Sequence, residues 1–284
     1  MITFQNILCP IDFSDTAARA LSYAAALARW YQSQLSVLHV ASRLEESLVP
    51  GSAGGLVRST AEGTRAGITA RLQHAIGKTG TPGLHATALV REGHAAQVIV
   101  ESTLATEADL LVMGTHGLSG CRRLVLGSVT EKVVRTAACP VMTVPPAVGV
   151  ATPRPILFKK ILCPIDHSPS SLKALEYALE LGRQAGGSVT VLHVLEYMDP
   201  EDALEPSVFD PCRDAALENR RRRQDRIDRA SERLHAQLAG ESRTWCAIEE
   251  VVAINRAYKE ILHRASVLDA DLIVMGARDA VASS

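Results

Sequence analysis

Aromatic residues are scarce, at 4% of 284 residues, with two Trp and four Phe. Ala, Val, Leu and Ile carry the apolar content instead, which favours α/β layers with small helix–sheet contacts. Neither sign of charge dominates. Thirty basic residues against 31 acidic ones leave a net charge of −1, which excludes an overall field that recruits nucleic acid or a membrane surface. No apolar run is long enough to span a bilayer, and no basic start leads into an apolar segment, so the expectation is a cytoplasmic protein without membrane contact. The six cysteines (Cys9, Cys121, Cys139, Cys163, Cys212 and Cys246) form no C-x-x-C pair and no zinc spacing. They read as reduced thiols, with no disulfide framework and no metal site. Cys9 and Cys163 stand inside apolar runs, where a small hydrophobe is needed.

What the chain does have is a repeat. "NILCPIDFS" at Asn6–Ser14 returns as "KILCPIDHS" at Lys160–Ser168, and "VLHV" at Val37–Val40 returns at Val191–Val194, both 154 positions on. "DLLVMG" at Asp109–Gly114 returns as "DLIVMG" at Asp271–Gly276, 162 positions on, so the second copy gains about eight residues between its second and third strands. Two copies are too few for a solenoid and read as two homologous domains. The expected division is a first domain over 1–146, a proline-rich linker over 147–157 and a second domain over 158–284.

Each copy alternates short apolar runs with amphipathic segments. In the first, strands are expected at Asn6–Pro10, Gln34–His39, Ala86–Arg91, Asp109–Met113 and Pro140–Val144, and helices near Asp15–Tyr31, Thr60–Lys78, His94–Glu107 and Val125–Ala137. The strands are continuous apolar runs, as when both faces of a parallel sheet are covered. The fold class is therefore α/β, with two tandem doubly wound parallel sheets. Val49–Gly67, rich in Gly and Ser, reads as a loop running into a helix. The arginine-rich stretch Glu218–Leu238 mixes in acids at helical spacing and reads as an ion-paired surface helix rather than a nucleic-acid site.

Doubly wound sheets bind ligands beyond the carboxyl ends of their strands. Asp12 follows the first strand, His39 and Val40 end the second, and "GTHGLSGCRRLVLGS" follows the fourth. Glycines there let backbone N–H groups wrap a phosphate, and Ser128 stands where a helix can begin. No G-K-[ST] follows, so this is not a Walker loop, and the dinucleotide fingerprint is missing after the first strand. His39 and its counterpart His193 read as structural histidines.

Gly114-Thr-His-Gly117, nine residues, then Gly127-Ser128 resembles the G-2x-G-9x-G-[S/T] signature of ATP-binding universal stress proteins. "ILCPIDFS", "VLHV", "DLLVMGTHG" and "CPVMTVP" fit the same family. The resemblance implies strand order 3-2-1-4-5 in each domain. It also implies that Asp12 and the Val40 backbone hold ribose and adenine, and that Met113 and Gly114 line the nucleotide. Thr115, His116 and Gly117 would begin the phosphate wrap, and Gly127, Ser128 and Val129 complete it. Family members often dimerise through the fifth strand, so a homodimer through first domains is expected.

The second copy keeps Asp166, Val194, Met275 and Gly276, but Asp279 takes the place of the second glycine, where it repels phosphate. It is expected to lack the last helix and fifth strand, and to bind no ATP in the family manner. No nucleophile–base pair is legible, so no catalytic residue is assigned. The expected function is an ATP-binding regulatory stress-response protein with a regulatory protein partner, its nucleotide accompanied by Mg2+ and used as a conformational or association switch. The alternatives are an interaction scaffold without nucleotide, and a slow ATPase or autophosphorylating protein.

Overall fold

The computed structural model describes residues 2–41, 49–50, 56–57, 61–115, 126–146, 158–196, 213–239 and 246–277. The chain divides into two compact units, Thr3–Ile156 and Leu157–Ser284 with Met1–Ile2. The expected linker, 147–157, lies outside the described residues.

The first unit runs β1 (Asn6–Pro10), α1 (Asp15–Tyr31), β2 (Gln34–Ala41), β3 (Val49–Pro50), β4 (Leu56–Val57), α2 (Ala61–Lys78), β5 (Ala86–Glu92), α3 (Ala95–Ala105), β6 (Leu110–Gly114), α4 (Ser128–Thr136) and β7 (Val141–Val144). Five strands form one parallel sheet in the order β5-β2-β1-β6-β7. With the short antiparallel β3–β4 pair set aside, that is 3-2-1-4-5. Of the expected loop at Val49–Gly67, residues 51–55 and 58–60 fall outside the described residues; β3, β4 and the start of α2 lie within it.

The second unit runs β8 (Lys160–Ile165), α5 (Pro169–Ala185), β9 (Ser188–Leu195), α6 (Arg213–Leu238), β10 (Ala247–Ile254), α7 (Ala257–Leu268) and β11 (Leu272–Ile273). Its sheet holds four parallel strands among the described residues, ordered β10-β9-β8-β11. The repeat is reproduced down to register. Ile7 and Leu8 pair with Leu110 and Leu111 in one sheet, and Ile161 and Leu162 pair with Leu272 and Ile273 in the other.

The same local chemistry builds α1 and α5. Ser14 and Ser168 cap the two helices, their hydroxyl oxygens accepting from Ala17 N–H and Ser171 N–H, each at 3.2 Å. Both helices end in a left-handed residue, Gln32 at φ 57° and Gly186 at φ 56°. Their buried faces are stripes of small residues (Ala20 and Ala24; Ala174 and Ala178), which let each helix lie close on its sheet. Between the layers, Leu8, Leu35, Leu38 and Leu111 are fully buried in the first unit, as are Leu162 and Leu192 in the second. Cys9 and Cys163 occupy equivalent places at the centre of β1 and β8, with no exposed surface. Burial raises both thiol pKa values, that of Cys163 to about 12.

Helix α6 is amphipathic: Leu234 and Leu238 are buried, while Arg222 bonds to Glu218 at 3.2 Å on its exposed face, in keeping with a surface helix. Two expectations are corrected. The helix foreseen from Val125 starts at Ser128, because Gly127 takes an extended conformation (φ −59°, ψ 143°) and its N–H donates to Thr115 O at 2.8 Å. The strand implied where "DLLVMG" returns at Asp271–Gly276 shrinks to two residues, Leu272 and Ile273. In β6 the last residues are held by β7, through Met113↔Thr143 and Gly114↔Val144, and β11 has no such neighbour among the described residues.

Candidate functional site

The carboxyl ends of β1, β2 and β6 and the N-terminus of α4 meet at one end of the first sheet. Asp12 lies in the β1–α1 turn. Its Oδ1 accepts from the Ser14 N–H at 3.0 Å and from the Ser14 hydroxyl at 2.6 Å, so the carboxylate is oriented by the residue that caps α1. Val40, half-buried, is the penultimate residue of β2, beside Arg91 of β5. Met113 is buried in a core cluster with Leu8, Leu38, Ile99 and Val133, so its side chain serves packing.

Gly114 has a reason to be glycine that needs no ligand. A Cβ there would lie 2.8 Å from Thr16 Cγ2 and 3.2 Å from the Thr16 carbonyl carbon, at the start of α1. Its counterpart Gly276 is tighter still, 2.6 Å from the carbonyl carbon of Ser170. Both glycines let the first turn of a helix approach the fourth strand.

Thr115 donates its N–H to Val144 O at 3.0 Å and accepts from Gly127 N–H. The two ends of the intervening loop are thereby pinned together. His116 and Gly117, with Arg122 and Arg123, lie inside that loop and outside the described residues. Gly127 caps α4 with no side chain of its own, so the N–H groups of the first helical turn stay directed outward, as an anion requires. Ser128 is exposed at the first helical position. Val129 packs its side chain against the core, which leaves its backbone for the site. The Thr130 hydroxyl donates to Gly114 O at 2.9 Å and fixes α4 on the end of β6.

Sequence reasoning missed the residues that form the wall between β1 and β2. Phe13 holds φ 64°, uncommon for a bulky residue, and turns its ring onto His39 at a centroid distance of 4.7 Å. Arg71 of α2 places its guanidinium 4.0 Å over the Phe13 ring. His39 Nδ1 donates to Ile11 O at 2.9 Å, the structural role expected of it. In the repeat, Phe13 aligns with His167 and Arg71 with Arg233.

In the second unit His167, at φ 63°, stacks on His193 at 4.6 Å, and His193 donates to Ile165 O at 2.9 Å. His167 Nδ1 donates to Gln237 Oε1 at 2.8 Å. Burial lowers the His167 pKa, and the nearby His193 and Arg233 lower it further. Asp166 accepts from the hydroxyl and N–H of Ser168, which bring its pKa down to about 2. No group of three metal-ligating side chains occurs among the described residues, and no described helix is long and apolar enough to cross a membrane.

The model of the universal stress protein family matches residues 3–145 and again 157–282. The chain belongs to the universal stress protein family. It is a tandem member, since each match accounts for one unit. A Thermus aquaticus relative, the universal stress protein in the QAH/OAS sulfhydrylase 3' region, is 37% identical over 144 residues, which are 50% of this chain and 98% of that protein. Universal stress protein YxiE of Bacillus subtilis is 32% identical over 149 residues, 50% of this chain and 99% of its own. Among solved structures, a universal stress protein from Archaeoglobus fulgidus aligns with 97% of this chain and 86% of its own at 19% identity, with a TM-score of 0.63. That likeness extends the shared fold across both units.

Proposed function

We propose that the first domain of this universal stress protein binds ATP and that occupancy shifts a conformational or association equilibrium in a stress response. One observation carries the reading: the glycine-spaced loop from Gly114 to Ser128 is pinned at its base, opens on an uncapped helix N-terminus, and shares a sheet end with Asp12 and Val40. In this reading Asp12 meets the ribose hydroxyls, the Val40 backbone meets adenine, and Met113 and Gly114 supply backbone along the nucleotide. Thr115, His116 and Gly117 begin the phosphate wrap and Gly127, Ser128 and Val129 end it. Mg2+ enters with the phosphates, held by water and one carboxylate rather than by a protein cage. The cytoplasm is the proposed compartment. Self-association is assigned to the outer edge of β7, which among the described residues borders β6 alone.

A switch needs different affinities in its two states, so the first measurement is binding itself. Calorimetry on the full chain is expected to give one ATP per chain, and Asp12→Ala to weaken binding at least about tenfold. Absence of binding heat, with no nucleotide released from the purified protein, sinks the reading. ADP appearing over time and lost in Asp12→Ala makes the protein a slow ATPase instead.

A further inference from the structure

The two units show the same surface in two conditions. In the first, Leu111 and Met113 of β6 and Ala96, Ile99 and Val100 of α3 are packed beneath α4 and β7, whose Val129, Val133 and Val141 close over them. Leu111 is fully buried and Met113 is 5% exposed. In the second unit the aligned residues are Ile273, Met275, Tyr258, Ile261 and Leu262. There Ile273 is 36%, Met275 58%, Tyr258 57% and Leu262 65% exposed. An apolar strip of this kind beside a two-residue edge strand marks an interaction surface.

We propose that the α7–β11 face is a docking surface for a helix–strand segment presented by another polypeptide. The first unit supplies the template for the occupant: a short helix with Val-type residues at i and i+4 (Val129 and Val133), followed after a short turn by an apolar strand that pairs in parallel with the fourth strand. Strand addition gives affinity through the edge of β11 that has no neighbour among the described residues, and side-chain pockets give specificity.

Charge narrows the partner further. Where α3 carries Gln97 and Glu101, α7 carries the exposed Lys259 and His263, which flank Leu262. Arg264 is already paired with the buried Glu260 at 3.3 Å, and so does not compete for a partner's acid. The occupant is therefore a helix whose apolar stripe is bordered by carboxylates.

The test uses the full chain and fluorescent peptides copied from residues 127–146, as they stand and with Lys132→Glu and Arg135→Glu. Anisotropy is expected to show saturable binding with a dissociation constant below about 1 mM. The acidic peptide should bind a few-fold tighter at low salt, by an advantage on the order of threefold that salt removes. Leu262→Glu, at an exposed position, should weaken binding at least about tenfold. Because a free peptide must also pay to fold, the acidic segment is then tethered behind Ser284 by a flexible linker, which raises its effective concentration to about millimolar. Hydrogen exchange across 258–275 should slow in the tethered protein. Unchanged exchange there, or equal binding to Leu262→Glu, overturns the proposal. So does concentration-dependent self-association of the unmodified chain that Leu262→Glu abolishes, which assigns the face to a second copy.

Discussion

Gly114 sits at the start of the nucleotide signature, yet its closest neighbour is Thr16, and Gly276 repeats the approach in a unit whose phosphate motif is broken by Asp279. The glycine therefore has a packing duty in both units. Gly114→Ala and Gly276→Ala should each cost about 1–3 kcal/mol, read as a lowered urea midpoint, because backbone atoms stand where the methyl must go. A neutral outcome at Gly276 would remove the packing argument. The second unit also carries two acid-sensitive residues. The Asp166 pKa is depressed, so the stability it supplies is present above the unfolded value near pH 4 and lost as pH falls to about 2. His167 is depressed as well, and as a base it opposes folding increasingly as pH drops below its unfolded value of about 6.5. His167→Phe, which copies Phe13 of the first unit, should flatten the stability slope between pH 7 and 5, and Asp166→Asn should differ less from the parent at pH 2 than at pH 6.

At the scale of elements, α4 is where stability and the proposed nucleotide binding should pull apart. Gly127 caps it in a conformation open to any residue. Gly127→Asp should thus stabilise the helix by about 0.5 kcal/mol through capping and the helix dipole. The same carboxylate should repel phosphate and weaken ATP at least about tenfold, by calorimetry. Parallel gains or parallel losses would detach α4 from the site. Elements also show how much was legible beforehand. β1 and α1 were readable to the residue, because a buried apolar run and a Ser-capped alanine stripe carry their own boundaries. The length of β11 was not, since "DLIVMG" spells the same strand as "DLLVMG" and only the neighbour decides how far it is held. The position of Asp12, Gly127 and Ser128 at the carboxyl end of the first sheet was legible from spacing. Phe13 was not, because a positive φ on a bulky residue is set by the Asp12–Ser14 turn and the ring stack on His39, neither of which leaves a local sequence mark.

At the scale of the whole molecule, one sequence plan recurs in two sheets: five strands in the first, four among the described residues of the second. Each sheet carries one cysteine at its centre, fully enclosed and held protonated by burial. A protonated thiol without access is inert to oxidants, so neither Cys9 nor Cys163 can register oxidative stress in the folded protein. The same enclosure makes each thiol a clock. Alkylation with iodoacetamide, followed by peptide mass spectrometry, times the opening of each sheet separately within a single chain. Cys163 should be modified before Cys9, because among the described residues the two-residue β11 alone guards one side of its strand. Equal rates would mean that the two halves open as one.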